Sequence, residues 1–149
     1  KKQVLATVRK DMVPLTTDPY GNYVVQTLIQ NLPRDVASEV IDSAFEGHFV
    51  SMCCNKFSSN VMEKIVHAAT PPTRKMILEE ICYVNASLQV VMQDGFGNFV
   101  LQSIIDTCTT GCEYRKLCER IRPMLSCSPY GHKIEAKLRS KRFNAHGSS

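Results

Sequence analysis

The 149 residues contain no run of 18 apolar amino acids, so no transmembrane helix is expected. The opening Lys1-Lys2-Gln3-Val4-Leu5 lacks the apolar core of a signal peptide. Also missing are Gly-x-Ser-x-Gly, a phosphate-cradling glycine loop and His-Glu-x-x-His, so the chain is not expected to be an enzyme. The four histidines are scattered. His48 follows Glu46-Gly47 at a helix end and reads as structural, and His67 closes a helix, where a cation suits the dipole. Glu63 could pass for a general base, but apart from surface charge no partnering acid stands at helical spacing from it. A strong charge bias is absent: the net charge of +4 permits a nucleic-acid partner without requiring one. Basic residues gather late (Arg115, Lys116, Arg120, Arg122, Lys133, Lys137, Arg139, Lys141, Arg142), either as a phosphate footprint or as an ordinary solvated end.

Seven cysteines are an odd number, and most occupy positions where helices want small apolar groups. Reduced thiols and a cytoplasmic location are the expectation. Cys108-x3-Cys112-x5-Cys118 matches no common zinc spacing, and no metal or cofactor is expected. With 44% hydrophobic residues and 149 positions, the chain reads as one globular domain.

What the chain does have is a segment written four times. Asp18-Pro19-Tyr20-Gly21-Asn22-Tyr23-Val24-Val25-Gln26 returns as Asn55-Lys56-Phe57-Ser58-Ser59-Asn60-Val61-Met62-Glu63. It returns again as Asp94-Gly95-Phe96-Gly97-Asn98-Phe99-Val100-Leu101-Gln102, and last as Ser128-Pro129-Tyr130-Gly131-His132-Lys133-Ile134-Glu135-Ala136. Asn22, Ser59, Asn98 and His132 are separated by 37, 39 and 34 residues, a period in the range of helical solenoids. Each copy opens with a side-chain oxygen able to accept from first-turn amides. An aromatic residue and then a small one follow, and the small one lets a backbone or a ligand come close.

At about 100° per residue the next eight positions split into two faces. Val24, Val25, Leu28 and Ile29 share one side and read as core, as do Val61, Met62, Ile65 and Val66, and Val100, Leu101, Ile104 and Ile105. The other side carries a polar trio at i, i+1 and i+4: Asn22, Tyr23, Gln26; Ser59, Asn60, Glu63; Asn98, Phe99, Gln102. A solvated face would favour Lys and Glu, whereas these trios hold amides and hydroxyls, with rings at Tyr23 and Phe99. A flat ring beside two amides suits a planar ligand with an edge to bond and a face to stack on, as a nucleobase has.

These segments resemble the RNA-binding helices of the Pumilio/FBF (PUF) family over about residues 3–139. The motifs Asn-Tyr-x-x-Gln, Ser-Asn-x-x-Glu and Asn-Phe-x-x-Gln look like the last three repeats of such a protein, and Pro129 to Leu138 is similar to its C-terminal capping segment. The family is itself the standing example of one base per helical repeat, read by two or three side chains. The resemblance therefore implies that Asn22 and Gln26 bond the edge of a uracil, Ser59 and Glu63 a guanine, and Asn98 and Gln102 a second uracil. Tyr23, Asn60 and Phe99 would stack. Family RNA runs antiparallel to the protein, which implies a 5′-UGU core of mRNA untranslated regions and post-transcriptional repression or mRNA decay in the full-length setting. The chemistry agrees: an ionised Glu63 offers only acceptors, and guanine's N1–H and N2–H₂ are donors. In the fourth copy Ala136 replaces the edge reader and Glu135 a core residue, so this copy reads as a cap.

The expected architecture is all-α, an α-solenoid of three-helix PUF repeats with its reading helices on the concave face. Repeats are expected at about 3–32, 34–69 and 73–108, an outer helix and cap at about 112–140, and a frayed tail at 141–149. Residues 3–13 read as a helix, reading helices fall at about 19–31, 57–68 and 96–107, and outer helices begin at Pro33, after the break at Pro71-Pro72, and near 113. Asn85-Ala86-Ser87 reads as a loop, and the resemblance implies protein co-repressors at Asn85 to Gln89. A protein-binding solenoid of the HEAT or armadillo kind shares the core and the period but not the trios. A nucleolar relative gripping nucleic acid without reading bases is a third possibility. The first helix opens with repeat character where solenoid ends are polar, so a C-terminal fragment or a short member is expected, with a sticky N-terminal face. Sedimentation should show self-association rising with concentration; a concentration-independent monomer would count against that face.

Overall fold

A computed structural model describes residues 12–142, and every regular element among them is helical. Residues 12–16 are helical. There follow α1 (Gly21–Asn31), α2 (Arg34–Phe45), α3 (Phe49–Cys53), α4 (Ser58–Ala68), α5 (Pro71–Ile81), α6 (Asn85–Gln93), α7 (Gly97–Asp106) and α8 (Gly111–Ile121). A 3-10 segment, Arg122–Cys127, leads into α9 (Gly131–Ser140). The helices stack in columns. α1, α4, α7 and α9 pack side by side in that order; α2 meets α5, α3 meets α6, and α6 meets the 3-10 segment. Each unit touches mainly its neighbours, which is the solenoid arrangement.

The first residue of each helix in the α1, α4, α7, α9 column is crowded by a carbonyl of the short helical segment before it. A Cβ on Gly97 would lie 2.8 Å from the carbonyl oxygen of Val91, and one on Gly21 would lie 2.7 Å from that of Leu15. At Gly131 a Cβ would collide with the Leu125 carbonyl. In the remaining copy Ser58 stands at the same place and donates its hydroxyl to the Met52 carbonyl at 2.7 Å. In all four copies, then, the carbonyl six residues earlier presses on the first residue of the helix. Of the two visitors a small residue could admit, backbone or ligand, it is backbone that arrives.

The side-chain oxygen at the head of each copy closes the turn between. Asp18 accepts from the amides of Tyr20 (2.9 Å) and Gly21 (2.6 Å), Asn55 from Phe57 (2.8 Å) and Ser58 (3.1 Å), and Asp94 from Phe96 and Gly97 (both 2.8 Å). Ser128 accepts from Tyr130 at 3.0 Å and donates to the Met92 carbonyl at 2.6 Å, joining the last turn to α6.

Two arginines fasten neighbouring units. Arg34, at the head of α2, donates to the carbonyl of Ala69 just beyond α4 (2.7 Å). Arg74 of α5 donates to the Ile104 carbonyl of α7 (2.8 Å) and the Thr107 hydroxyl (2.7 Å), and pairs with Glu113 of α8 at 2.7 Å. Burial pushes the Glu113 carboxyl up, but hydrogen bonds from Arg74 and Cys108 and the Arg74 charge outweigh it and leave it below the usual range. Cys53, Cys82 and Cys108 are buried thiols, and burial pushes Cys82 up to about 12. α9 closes the stack with Ile134 and Leu138 buried and the Tyr114 hydroxyl donating to the Leu138 carbonyl at 2.7 Å. Glu135, which replaces a core residue there, pairs instead with Arg122 and Arg139.

Several expectations need correction. The apolar quartets of α4 and α7 are buried throughout, but in α1 only Val25 and Ile29 are; Val24 is 64% and Leu28 38% exposed. Their equivalents Val61 and Ile65 are buried where α4 meets α1, and the described residues place no further repeat on the opposite side of α1. Val36 of α2, which recurs with Val40, Ile41, Ala44 and Phe45 and is expected to share their apolar face, is likewise exposed. Asn85-Ala86-Ser87 is the first turn of α6 and not a loop: buried Leu88, Val91 and Met92 give the segment a helical apolar stripe, and the Leu88 amide donates to the Val84 carbonyl at 2.9 Å. Pro71 and Pro72 do not precede α5 but open it, at positions whose amides have no partner within the helix. Leu125, apolar at helical spacing after Leu117 and Ile121 and so expected to continue that outer helix, lies in the 3-10 segment beyond α8. The helix expected at 3–13 lies mostly outside the described residues, as does most of the tail at 141–149.

Gly97→Ala tests the close approach. Forcing a Cβ against a backbone carbonyl costs about 1–3 kcal/mol, more than the ~0.5–1 kcal/mol that alanine returns in helix propensity. Thermal melting of the variant should therefore fall by several degrees; an unchanged or raised Tm would contradict the packing described.

Candidate nucleic-acid interface

The front helices turn the same edge outward. On α1 Tyr23 is 63% exposed and Gln26 half-buried; on α4 Asn60 is exposed and Glu63 half-buried; on α7 Phe99 is 49% exposed and Gln102 half-buried. Because α1 packs on α4 and α4 on α7, the three pairs lie on consecutive helices of one column. The first member of each trio is inside. Asn22 is 1% exposed, Asn98 is fully buried, and Ser59 is buried.

That burial has a specific cause. The Asn22 side-chain amide donates to the carbonyls of Asp18 and Pro19, both at 2.9 Å. Asn98 does the same to Asp94 (2.8 Å) and Gly95 (3.1 Å). Turning either amide over would set its oxygen against two carbonyl oxygens, so hydrogen bonding fixes the orientation. The outward Oδ1 then accepts from the next member of the trio: Gln26 Nε2 donates to Asn22 at 2.9 Å, and Gln102 Nε2 to Asn98 at 3.1 Å. Each asparagine thus ties down the turn behind it and aims the glutamine ahead of it. Among the described residues, the carbonyl oxygen and one amide hydrogen of each glutamine have no protein partner, which leaves one acceptor and one donor for an incoming edge.

The middle unit is built differently. Ser59 reaches only the Lys56 carbonyl, at 3.3 Å, and does not brace Glu63. The brace comes from the next helix, where the Ser103 hydroxyl donates to Glu63 Oε1 at 2.7 Å. Between α1 and α4 lies a cleft of about 250 Å³ lined by Tyr23, Gln26, Asn60, Glu63 and Lys64. At the other end of the row the Lys133 ammonium of α9 sits 6.0 Å from the centroid of Phe99. No group of three His, Cys, Asp or Glu side chains able to hold a metal occurs among the described residues.

Comparison with known proteins bears on what this edge is. The model of the Pumilio-family RNA binding repeat matches residues 11–42, 48–82 and 90–116, well over half of the chain. The chain belongs to the Pumilio family. Its Pumilio repeats are 30% identical over 138 residues to putative pumilio homolog 10 of Arabidopsis thaliana, covering 91% of this chain and 25% of that protein. Pumilio homology domain family member 4 of Saccharomyces cerevisiae is 32% identical over 147 residues, covering 91% of this chain and 16% of its own length. The chain therefore spans a quarter or less of these two curated relatives. The crystal structure of PUF-8 in complex with PBE-RNA superposes with a TM-score of 0.78 at 27% identity, over 94% of this chain and 42% of that one. The Puf4 RNA-binding domain bound to an HO endonuclease 3′ UTR sequence gives 0.80 at 17% identity, over 92% and 42%, a likeness of fold.

Two residues at the edge of these Pumilio repeats escape the trio pattern: Lys64 and Ser103. Each follows the last member of its trio, at i+5, about 140° round the helix and so still on the polar side. The signal was therefore present in the helical wheel, but nothing in one helix tells that its i+5 position meets the neighbouring repeat.

Removing the buried amide tests its bracing role in the Pumilio repeat. Asn98→Ala loses two bonds to carbonyls and should cost about 1–3 kcal/mol of stability, read as a lower denaturation midpoint. Wild-type stability would show that the amide does not hold the turn.

Proposed function

We propose that the chain binds single-stranded RNA along the exposed edge of α1, α4 and α7, one base per repeat, and reads a 5′-UGU core. Gln102 with Asn98 takes the first base, Glu63 with Ser59 the second, and Gln26 with Asn22 the third, while Phe99, Asn60 and Tyr23 stack. The observation that carries the reading is the row of half-buried Gln26, Glu63 and Gln102 on consecutive helices, each preceded three positions earlier by an exposed, stack-capable side chain. Membership of the Pumilio family supports it, as does the RNA in the PUF-8 complex. The buried asparagines act chiefly through the glutamines they aim, with a second lone pair of Oδ1 left for the base.

Each glutamine retains one donor and one acceptor, the combination that uracil's N3–H and O4 require. The Glu63 carboxylate accepts only, which matches guanine's N1–H and N2–H₂ and repels the acceptor-rich edge of cytosine. In the same proposal the whole protein is a cytoplasmic post-transcriptional regulator of mRNA. The start of α6, Asn85 to Gln89, is its contact with protein co-repressors, through exposed Asn85, Ala86 and Gln89 beside exposed Val84 and Val90. Stacking supplies about 1–3 kcal/mol per base, so three bases give modest affinity after the cost of ordering the strand.

Titration of a UGU-containing oligomer against its UCU counterpart tests the assignment. Loss of hydrogen bonds to a charged acceptor should weaken UCU binding by about tenfold or more. Equal affinities would defeat it.

A further inference from the structure

The repeats differ in how the edge-reading side chain is held. Gln26 and Gln102 are each gripped from their own helix, one turn back, by an asparagine oxygen at 2.9 and 3.1 Å. Serine replaces asparagine at that place in α4, and its hydroxyl is too short to reach the carboxylate; it bonds the Lys56 carbonyl instead. Left there, Glu63 would be the one reader without a brace, and a terminal carboxylate rotates over a broad torsional range. The structure supplies the missing bond from 40 residues away, as the 2.7 Å donation from Ser103.

We infer that Ser103 is a specificity-determining positioning residue for the base read by Glu63, so that the middle base is set by a side chain of the following repeat as well as by its own. The inference rests on the base-reading role of Glu63 proposed above. Ser103 has one hydroxyl hydrogen, and it goes to Glu63 Oε1. This bond restricts rotation of the group, and because a carboxylate presents about four lone-pair sites it leaves both oxygens able to accept. Guanine's N1–H and N2–H₂ need two acceptors side by side in one plane, the arrangement that a pinned carboxylate presents and a rotating one must pay entropy to adopt. The register recurs one step earlier: Lys64, the equivalent of Ser103, shares the cleft of Gln26 and Tyr23. Glu63 and Gln26 therefore each have the i+5 residue of the next front helix nearby, a hydroxyl bonded to the glutamate and a lysine lining the cleft of the glutamine. The hydroxyl donor suits an anion, and it does not neutralise the anion as a lysine there would.

The test uses the whole 149-residue chain and short labelled RNAs differing only in the middle base, UGU and UAU, with the ratio of the two dissociation constants as readout. Wild type should prefer UGU. Ser103→Ala should shrink that ratio by about three- to tenfold with little change in Tm, and Ser103→Thr, which keeps the hydroxyl, should restore it. A wild-type ratio of one would remove the base-reading role of Glu63 and this inference with it. A wild-type preference that Ser103→Ala leaves intact, or that Ser103→Thr fails to restore, would overturn the inference alone.

Discussion

The contact on which this molecule turns is between a backbone carbonyl and the first residue of each helix in the α1, α4, α7, α9 column. A short helix ends, the chain reverses through a turn closed by Asp18, Asn55, Asp94 or Ser128, and the carbonyl six residues back lands on Gly21, Ser58, Gly97 or Gly131. Three of the four solve the crowding by having no side chain. Ser58 solves it by making its side chain a donor to that carbonyl. Because the same contact recurs at every step, α1, α4, α7 and α9 can share one column.

Given that column, the two faces of a reading helix have different duties. One face must bury Val61, Met62, Ile65 and Val66 or their counterparts, and it does so against both neighbours. The other cannot simply be wet. Asn22 and Asn98 are among the most buried polar side chains of the described residues, since the turn has carbonyls to satisfy and the amide satisfies two at once. Rigidity at the outer edge follows from that burial. A glutamine gripped by a buried, doubly anchored asparagine has little freedom to lose when it meets a partner, and the same economy explains why a serine repeat borrows its grip from next door.

Much of this was legible without coordinates, for identifiable reasons. The fourfold segment, its spacing, the aromatic-small pair and the polar trio are local in the chain, and a helix makes local patterns geometric. The buried quartets of α4 and α7 followed from periodicity alone. Where the reading failed, a neighbour decided the outcome. Val24 and Leu28 have the same pattern as Val61 and Ile65, yet burial needs a helix on the far side, and periodicity does not say whether one is there. The start of α6 looked like a loop because Asn85 and Ser87 favour turns; the stripe of Leu88, Val91 and Met92 packing into the core overrode that preference. Pro71 and Pro72 looked like a break because proline stops a helix from within, and at its first turn it does not.

The amino-acid order by itself determined the helical units, their number in register and the membership of each trio, since these depend only on residues within a turn or two of one another. Tertiary structure alone decided which apolar positions find a neighbour to cover them and that Ser103 reaches Glu63. Those outcomes join atoms on different helices, and the one-dimensional period of a sequence carries no measure of the gap between two helices.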